Sequence, residues 1–98
     1  MEKFQKLQDE NFEWAEKQFG SDRLLATLKH LRSEVDELIE SPKDITEYAD
    51  AFLLLIQAAR IAGITMVMLL EAAWKKFRIN KKRNWGKPNE DGYSEHIN

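Results

Sequence analysis

The sequence predicts an all-α fold, four-helix bundle-like, with a short C-terminal loop and tail. Three observations predict it. Apolar residues recur at helical spacing in four successive segments, each bounded by a cap or a stop. No segment alternates apolar and polar residues as a half-buried strand does. The third segment is apolar nearly all round, the pattern of a helix buried on every side. At 98 residues the chain suits a single domain, 1–98, with a small core.

The first helix is predicted over Glu2 to Phe19. Phe4, Leu7, Phe12 (or Asn11), Ala15 and Phe19 form its apolar stripe, with Trp14 beside it. Gly20 stops it, and Ser21-Asp22 offers a cap for the next. The second helix covers Asp22 to Glu40. Leu24, Leu28, Leu31, Val35 and Leu38 give it a clean seam, and His30, Glu34 and Glu37 share one flank of that seam. Ser41 caps a third helix with Pro42 at its first position, running to Ala62 and stopping at Gly63. Tyr48, Ala51 to Ile56, Ala58, Ala59 and Ile61 leave it one polar edge: Glu47, Asp50 and Gln57. Three neighbours in so short a chain can hardly cover such a helix, so a subunit interface is expected. The fourth helix runs from Thr65 to Arg83 with Val67, Leu70, Trp74 and Phe77 as its seam. Beyond Trp85, Gly86, Pro88, Asn89 and Gly92 mark loop, and the tail docks back.

Composition narrows the function. Net charge is −2, which gives no overall attraction to nucleic acid or an anionic membrane. Cysteine is absent, so disulfides and thiolate metal sites are excluded. The N-terminus is charged throughout and is no signal peptide, which suits a cytoplasmic protein. Ala51 to Leu70 is long and apolar enough to raise a membrane span, but Arg60 near its centre would cost about 2.5–3.5 kcal/mol. No membrane partner is expected.

The charge is unevenly placed. Glu34 to Asp50 carries seven acids and one base, Lys43; Lys75 to Lys87 carries seven bases and no acid. Glu34/Glu37 and Glu47/Asp50 are each spaced i, i+3, so each pair lies along one side of a helix. A helical hairpin would face them, and gathered carboxylates repel unless a cation lies between them. Mg²⁺, a hard cation that takes carboxylates, waters and phosphates, fits that place. Lys76, Asn80 and Arg83 share one face of the fourth helix and suit phosphate and sugar contacts. His30, a turn before Glu34, can meet a phosphate or orient that carboxylate. Trp14, Phe19 and Trp85 offer stacking surfaces for a base. Each group also has a plainer use: solvated helix faces, bases complementing a helix dipole, aromatics packing a core or interface. Without cysteine, a Gly-rich phosphate loop or a Ser/His/Asp ordering, covalent catalysis by a side chain is not indicated.

The ordered pattern HLRSEVDEL, EYAD, ARIAG, AAWKKFRINKKRNWGKP and DGYSEHI resembles the MazG-like all-α nucleotide pyrophosphohydrolases. Within them it is similar to the dATP/dGTP pyrophosphohydrolase branch, over Glu13-Trp14 to Ile97. The resemblance implies a MazG-type bundle working as a homodimer or homotetramer. It implies Mg²⁺ (or Mn²⁺) held by Glu34, Glu37, Glu47 and Asp50. It implies cleavage of a nucleoside triphosphate between its α and β phosphates, with Lys76, Asn80 and Arg83 at substrate-contacting positions. His30 and Trp85 join them as candidate substrate contacts, and Glu37 is the candidate to take a proton from the attacking water. Ser33 departs from the family pattern, which often has an acid there. Another nucleotide such as dUTP or dCTP, or a non-catalytic oligomerisation module, stand as the alternatives.

Overall fold

α3 is the centre of the molecule. The computed structural model describes residues 1–97, and among them four helices follow in order: α1 Glu2–Phe19, α2 Leu24–Glu40, α3 Ile45–Ile61 and α4 Met66–Lys82. α3 packs against α2 on one side and α1 on another, while α4 touches α1. The all-α prediction holds.

α1 meets α3 through amides rather than through the predicted apolar stripe. Gln8, wholly buried, donates from Nε2 to Ile56 O and to Ile64 O, both at 3.0 Å. Gln5 Oε1 accepts from Met66 N at 3.0 Å, tying α1 to the start of α4. Asn11 Nδ2 donates to Leu53 O at 3.2 Å. A helical carbonyl keeps a second lone pair after its own helix bond, so the bonds to Ile56 O and Leu53 O add to the α3 ladder without breaking it, while Ile64 O lies in the link to α4. Phe4, Leu7 and Phe19 lie exposed instead. The inward face of α1 is therefore Gln5, Gln8, Asn11, Phe12 and Ala15.

Two helix starts differ from the prediction. Asp22 has φ 56°, in the left-handed region, so it cannot begin α2; the helix starts at Leu24 after an uncapped Arg23. Ser21 Oγ turns back to donate to Glu16 Oε1. Ser41-Pro42 is a turn, not the cap of α3. Asp44 is the cap, with Oδ1 accepting from Thr46 N at 2.9 Å and Thr46 Oγ1 at 2.7 Å. Pro42 O accepts from the Tyr48 hydroxyl, which pins the turn to the helix it precedes.

α3 ends as predicted at Gly63, whose φ of 83° a β-carbon would strain. Ile64 N donates to Ala59 O and Gly63 N to Arg60 O, a Schellman closure. Thr65 Oγ1 then caps α4, accepting from Met68 N at 3.3 Å. α3 and α4 meet at 106°, and no single helix among the described residues is long and apolar enough to cross a membrane.

That bend leaves α4 largely uncovered. Met66 is buried, but Leu70, Trp74 and Phe77 of the predicted seam are about half exposed. After α4 the chain folds back: Gly86 N donates to Glu95 O and Ile97 N to Asn84 O, with Trp85 bridged to His96.

Candidate metal and nucleotide site

The α2–α3 pair faces its acids as the spacing predicts. Glu34 and Glu37 project from the last two turns of α2, and Glu47 from the first turn of α3. One carboxylate oxygen from each lies within 4.8 Å of the others. Glu34 Oε2 and Glu47 Oε2 are buried with no hydrogen-bond partner. Buried carboxylate oxygens are normally paired, and unpaired ones are costly. The Glu37 carboxyl beside Glu34, then burial, then the charges of Glu37, Asp50 and Glu47 push Glu34 above the ordinary carboxylate range. Burial acts first on Glu47, followed by the charges of Glu37, Asp44 and Asp50. The repulsion calls for a cation, and three convergent carboxylates, two of which also carry a buried unpartnered oxygen, fit a divalent ion of hard character.

His30 Nε2 stands 3.3 Å from Glu34 Oε1, one turn earlier on α2. A cavity of about 560 Å³ opens from there. Glu34, Asp50 and His30 line its acidic end; Trp14, Phe19, Leu53 and Leu54 give it apolar walls; Asn11, Gln57, Thr27 and Arg23 supply polar groups. That volume lies within the usual range for small-molecule sites. Asp50 lines the cavity rather than joining the three-oxygen cluster.

The basic face of α4 is built, but elsewhere. Asn80, Arg83 and Trp85 form a local group: Arg83 Nη1 donates to Asn80 Oδ1, and Trp85 Nε1 donates to Asn80 O at 3.0 Å. His96 packs edge-on against Trp85 at 5.9 Å. Neither these residues nor Lys76 lines the acid-ended cavity. Of the residues singled out in the sequence, one chain brings together Glu34, Glu37, Glu47, Asp50, His30, Trp14 and Phe19, and leaves the α4 group apart.

Asn11, Gln57, Thr27 and Arg23 were not picked out as site residues by spacing. The available signal was chemical: Gln8 and Asn11 put amides on the inward side of an amphipathic helix, where polar residues need a reason.

The four-helix chain, with its acid hairpin and the cavity beside it, has the fold of a MazG-like pyrophosphohydrolase of known structure. The solved Cyanophage S-2L MazG-like pyrophosphohydrolase, bound to dGDP and three catalytic Mn²⁺ ions per active site, superposes with a TM-score of 0.78. It is 31% identical, and the match covers 95% of each chain. The sequence profile of the dATP/dGTP pyrophosphohydrolase family matches residues 7–98, and the chain belongs to that family. The Eaa protein of Salmonella phage P22 is 36% identical over 93 residues, 95% of this chain. The dATP/dGTP diphosphohydrolase of Salmonella phage PMBT28 is 33% identical over 85 residues, 86% of this chain. The chain spans 29% and 28% of the length of these two relatives.

Proposed function

We propose that this chain hydrolyses deoxynucleoside triphosphates, dATP and dGTP foremost, to the monophosphate and pyrophosphate with Mg²⁺, Mn²⁺ serving in its place. The observation that carries the reading is the pair of buried, unpartnered oxygens on Glu34 and Glu47 inside a three-acid cluster. The cyanophage neighbour, named for bound dGDP and catalytic Mn²⁺, supports it.

Glu34, Glu37, Glu47 and Asp50 would hold the metal. When bound, a divalent ion supplies charge neutralisation at phosphate and lowers the pKa of water. Phosphoryl transfer depends on positioning and charge compensation more than on covalent help. Glu37 is the exposed member of the three-acid cluster, open to solvent water, and takes the proton of the attacking water. His30 holds the Glu34 carboxylate through Oε1, while Oε2 is buried without a partner.

Lys76, Asn80, Arg83 and Trp85 reach the phosphates from a second copy of the chain. Two features support this. The half-exposed seam of α4 needs cover, and an apolar groove of about 250 Å³ lies between α1, α3 and α4, lined by Phe4, Phe52, Leu69 and Leu70. The charges are also complementary, acids on α2–α3 and bases on α4. Lys76 and Arg83 then offset charge on the departing pyrophosphate.

Pyrophosphate release from a deoxynucleotide panel, with Mg²⁺, Mn²⁺ or chelator, tests the reading. Metal-dependent release from dATP and dGTP is expected; no release from any triphosphate with either ion would refute it.

A further inference from the structure

The amide of Asn11 is held in one orientation by a chain of hydrogen bonds. Asn11 Nδ2 donates to Leu53 O at 3.2 Å and to Gln57 Oε1 at 3.5 Å. Gln57 Nε2 donates to Thr27 Oγ1 at 3.4 Å, and Thr27 Oγ1 donates to Arg23 O at 2.7 Å. Both ends of this chain are backbone carbonyls, which only accept. Thr27 has one hydroxyl proton, spent on Arg23 O, so towards Gln57 it must accept. Gln57 therefore turns Oε1 to Asn11, and Asn11 must turn Nδ2 to α3. Thr27 and Gln57 are 2% and 7% exposed, so water does not easily reverse the order.

What remains is Asn11 Oδ1, an acceptor engaged by no hydrogen bond among the described residues, on a half-buried side chain that lines the cavity. Trp14, one turn on along α1, lines the same cavity and is 55% exposed. A fixed acceptor beside an open indole is the chemistry that reads a flat heterocycle carrying an N–H at its edge.

We propose that Asn11 is a specificity-determining residue: Oδ1 accepts an N–H from the base while Trp14 stacks on it. This rests on the reading of the cavity as the nucleotide site. Adenine presents an amino group on C6 and guanine an imino N1–H next to it, so one acceptor aimed at that edge takes either purine. A purine with hydrogen in place of the amino group offers no such donor and leaves Oδ1 without a partner.

The test compares dAMP with 2′-deoxyribosylpurine 5′-monophosphate, by calorimetry with Mg²⁺ present, and the matching triphosphates in turnover. For the wild type, the amino-free nucleotide should bind about tenfold more weakly, with the same loss in kcat/KM carried by KM. In Asn11→Leu the dAMP advantage should vanish. A purely structural Asn11 would weaken both nucleotides equally in that variant, and this result overturns the proposal. Should Asn11→Leu not fold by circular dichroism, the wild type decides alone, since equal binding of the two nucleotides also overturns it. Retained discrimination in binding without pyrophosphate release would refute the proposed reaction while upholding Asn11. Binding of neither nucleotide refutes Asn11 as the reader.

Discussion

α3 and α4 are neighbours in sequence, 17 residues each, and both carry apolar seams, yet they have opposite fates. α3 closes its Ile56 to Ala59 turn away from solvent, whereas α4 buries Met66 and little else. The difference lies in what meets them. α2 packs along α3, and α1 threads amides into its carbonyls. α4 turns away at 106° and meets α1 near its own start. The chemistry divides along the same line: the acids converge beside α3, and the bases of α4 face elsewhere. The single chain gathers its acids beside α3 and leaves its bases on a mostly uncovered α4.

The comparison breaks most completely at Glu47. Glu47→Gln should abolish pyrophosphate release and the thermal shift that Mg²⁺ gives, because ligand binding to the native state is what raises Tm. The metal-free variant should melt higher than the wild type. Glu47 titrates above the ordinary glutamate range in the fold, so the folded chain keeps a proton that the unfolded chain has released. Metal-free stability therefore falls as pH rises from the ordinary glutamate pKa through the raised one, and glutamine removes that loss. An unchanged or lowered melting temperature would show the carboxylate to be well accommodated without metal.

On the α4 side, Arg83→Ala should cost about 10²–10³ in kcat, as losing one charge-stabilising donor does, while the metal shift of Tm persists. If the metal shift disappeared as well, the two halves would not be separable. Gln8→Ala tests the amide zipper that sets α3 apart. It removes donations to one buried and one part-buried carbonyl and leaves a void, and should cost about 2–4 kcal/mol in denaturant unfolding. The smallest effect is expected at Asp44. The Thr46 hydroxyl and amide hold its carboxyl below the ordinary aspartate range. Its contribution is present above the unfolded pKa and lost as pH falls through the folded one. Asp44→Ala should therefore lower Tm modestly at neutral pH and match the wild type in strong acid.

Much of this was legible in the sequence. Gly20 and Gly63 end helices where expected, Thr65 opens α4 as its cap, and three of the four i, i+3 acids converge while Asp50 lines the cavity beside them. The misses have physical causes. Periodicity assumes an apolar interior, so it chose Phe4, Leu7 and Phe19 for the inward face of α1, where Gln5, Gln8 and Asn11 bond to the backbone instead. Pro42 looked like a first helical residue, but Asp44 with Thr46 and Glu47 makes the stronger start. The α4 seam of Val67, Leu70, Trp74 and Phe77 is about half exposed, because α4 bends away from α3 and meets α1 near its start. Spacing places Asn11 on the α1 stripe as an alternative to Phe12 but not at the site, because the orientation of its amide depends on a hydrogen-bond chain running through Gln57 and Thr27, on two other helices.

We propose that the acids and bases of one active centre come from different copies of the chain. Mixing two disabled chains, Glu47→Gln and Arg83→Ala, by co-refolding tests it most directly. In a two-fold assembly, random pairing restores about one site in four, so activity should return well above that of either parent. A mixture no more active than the sum of its parents would contradict the account and place both halves of the site in one chain.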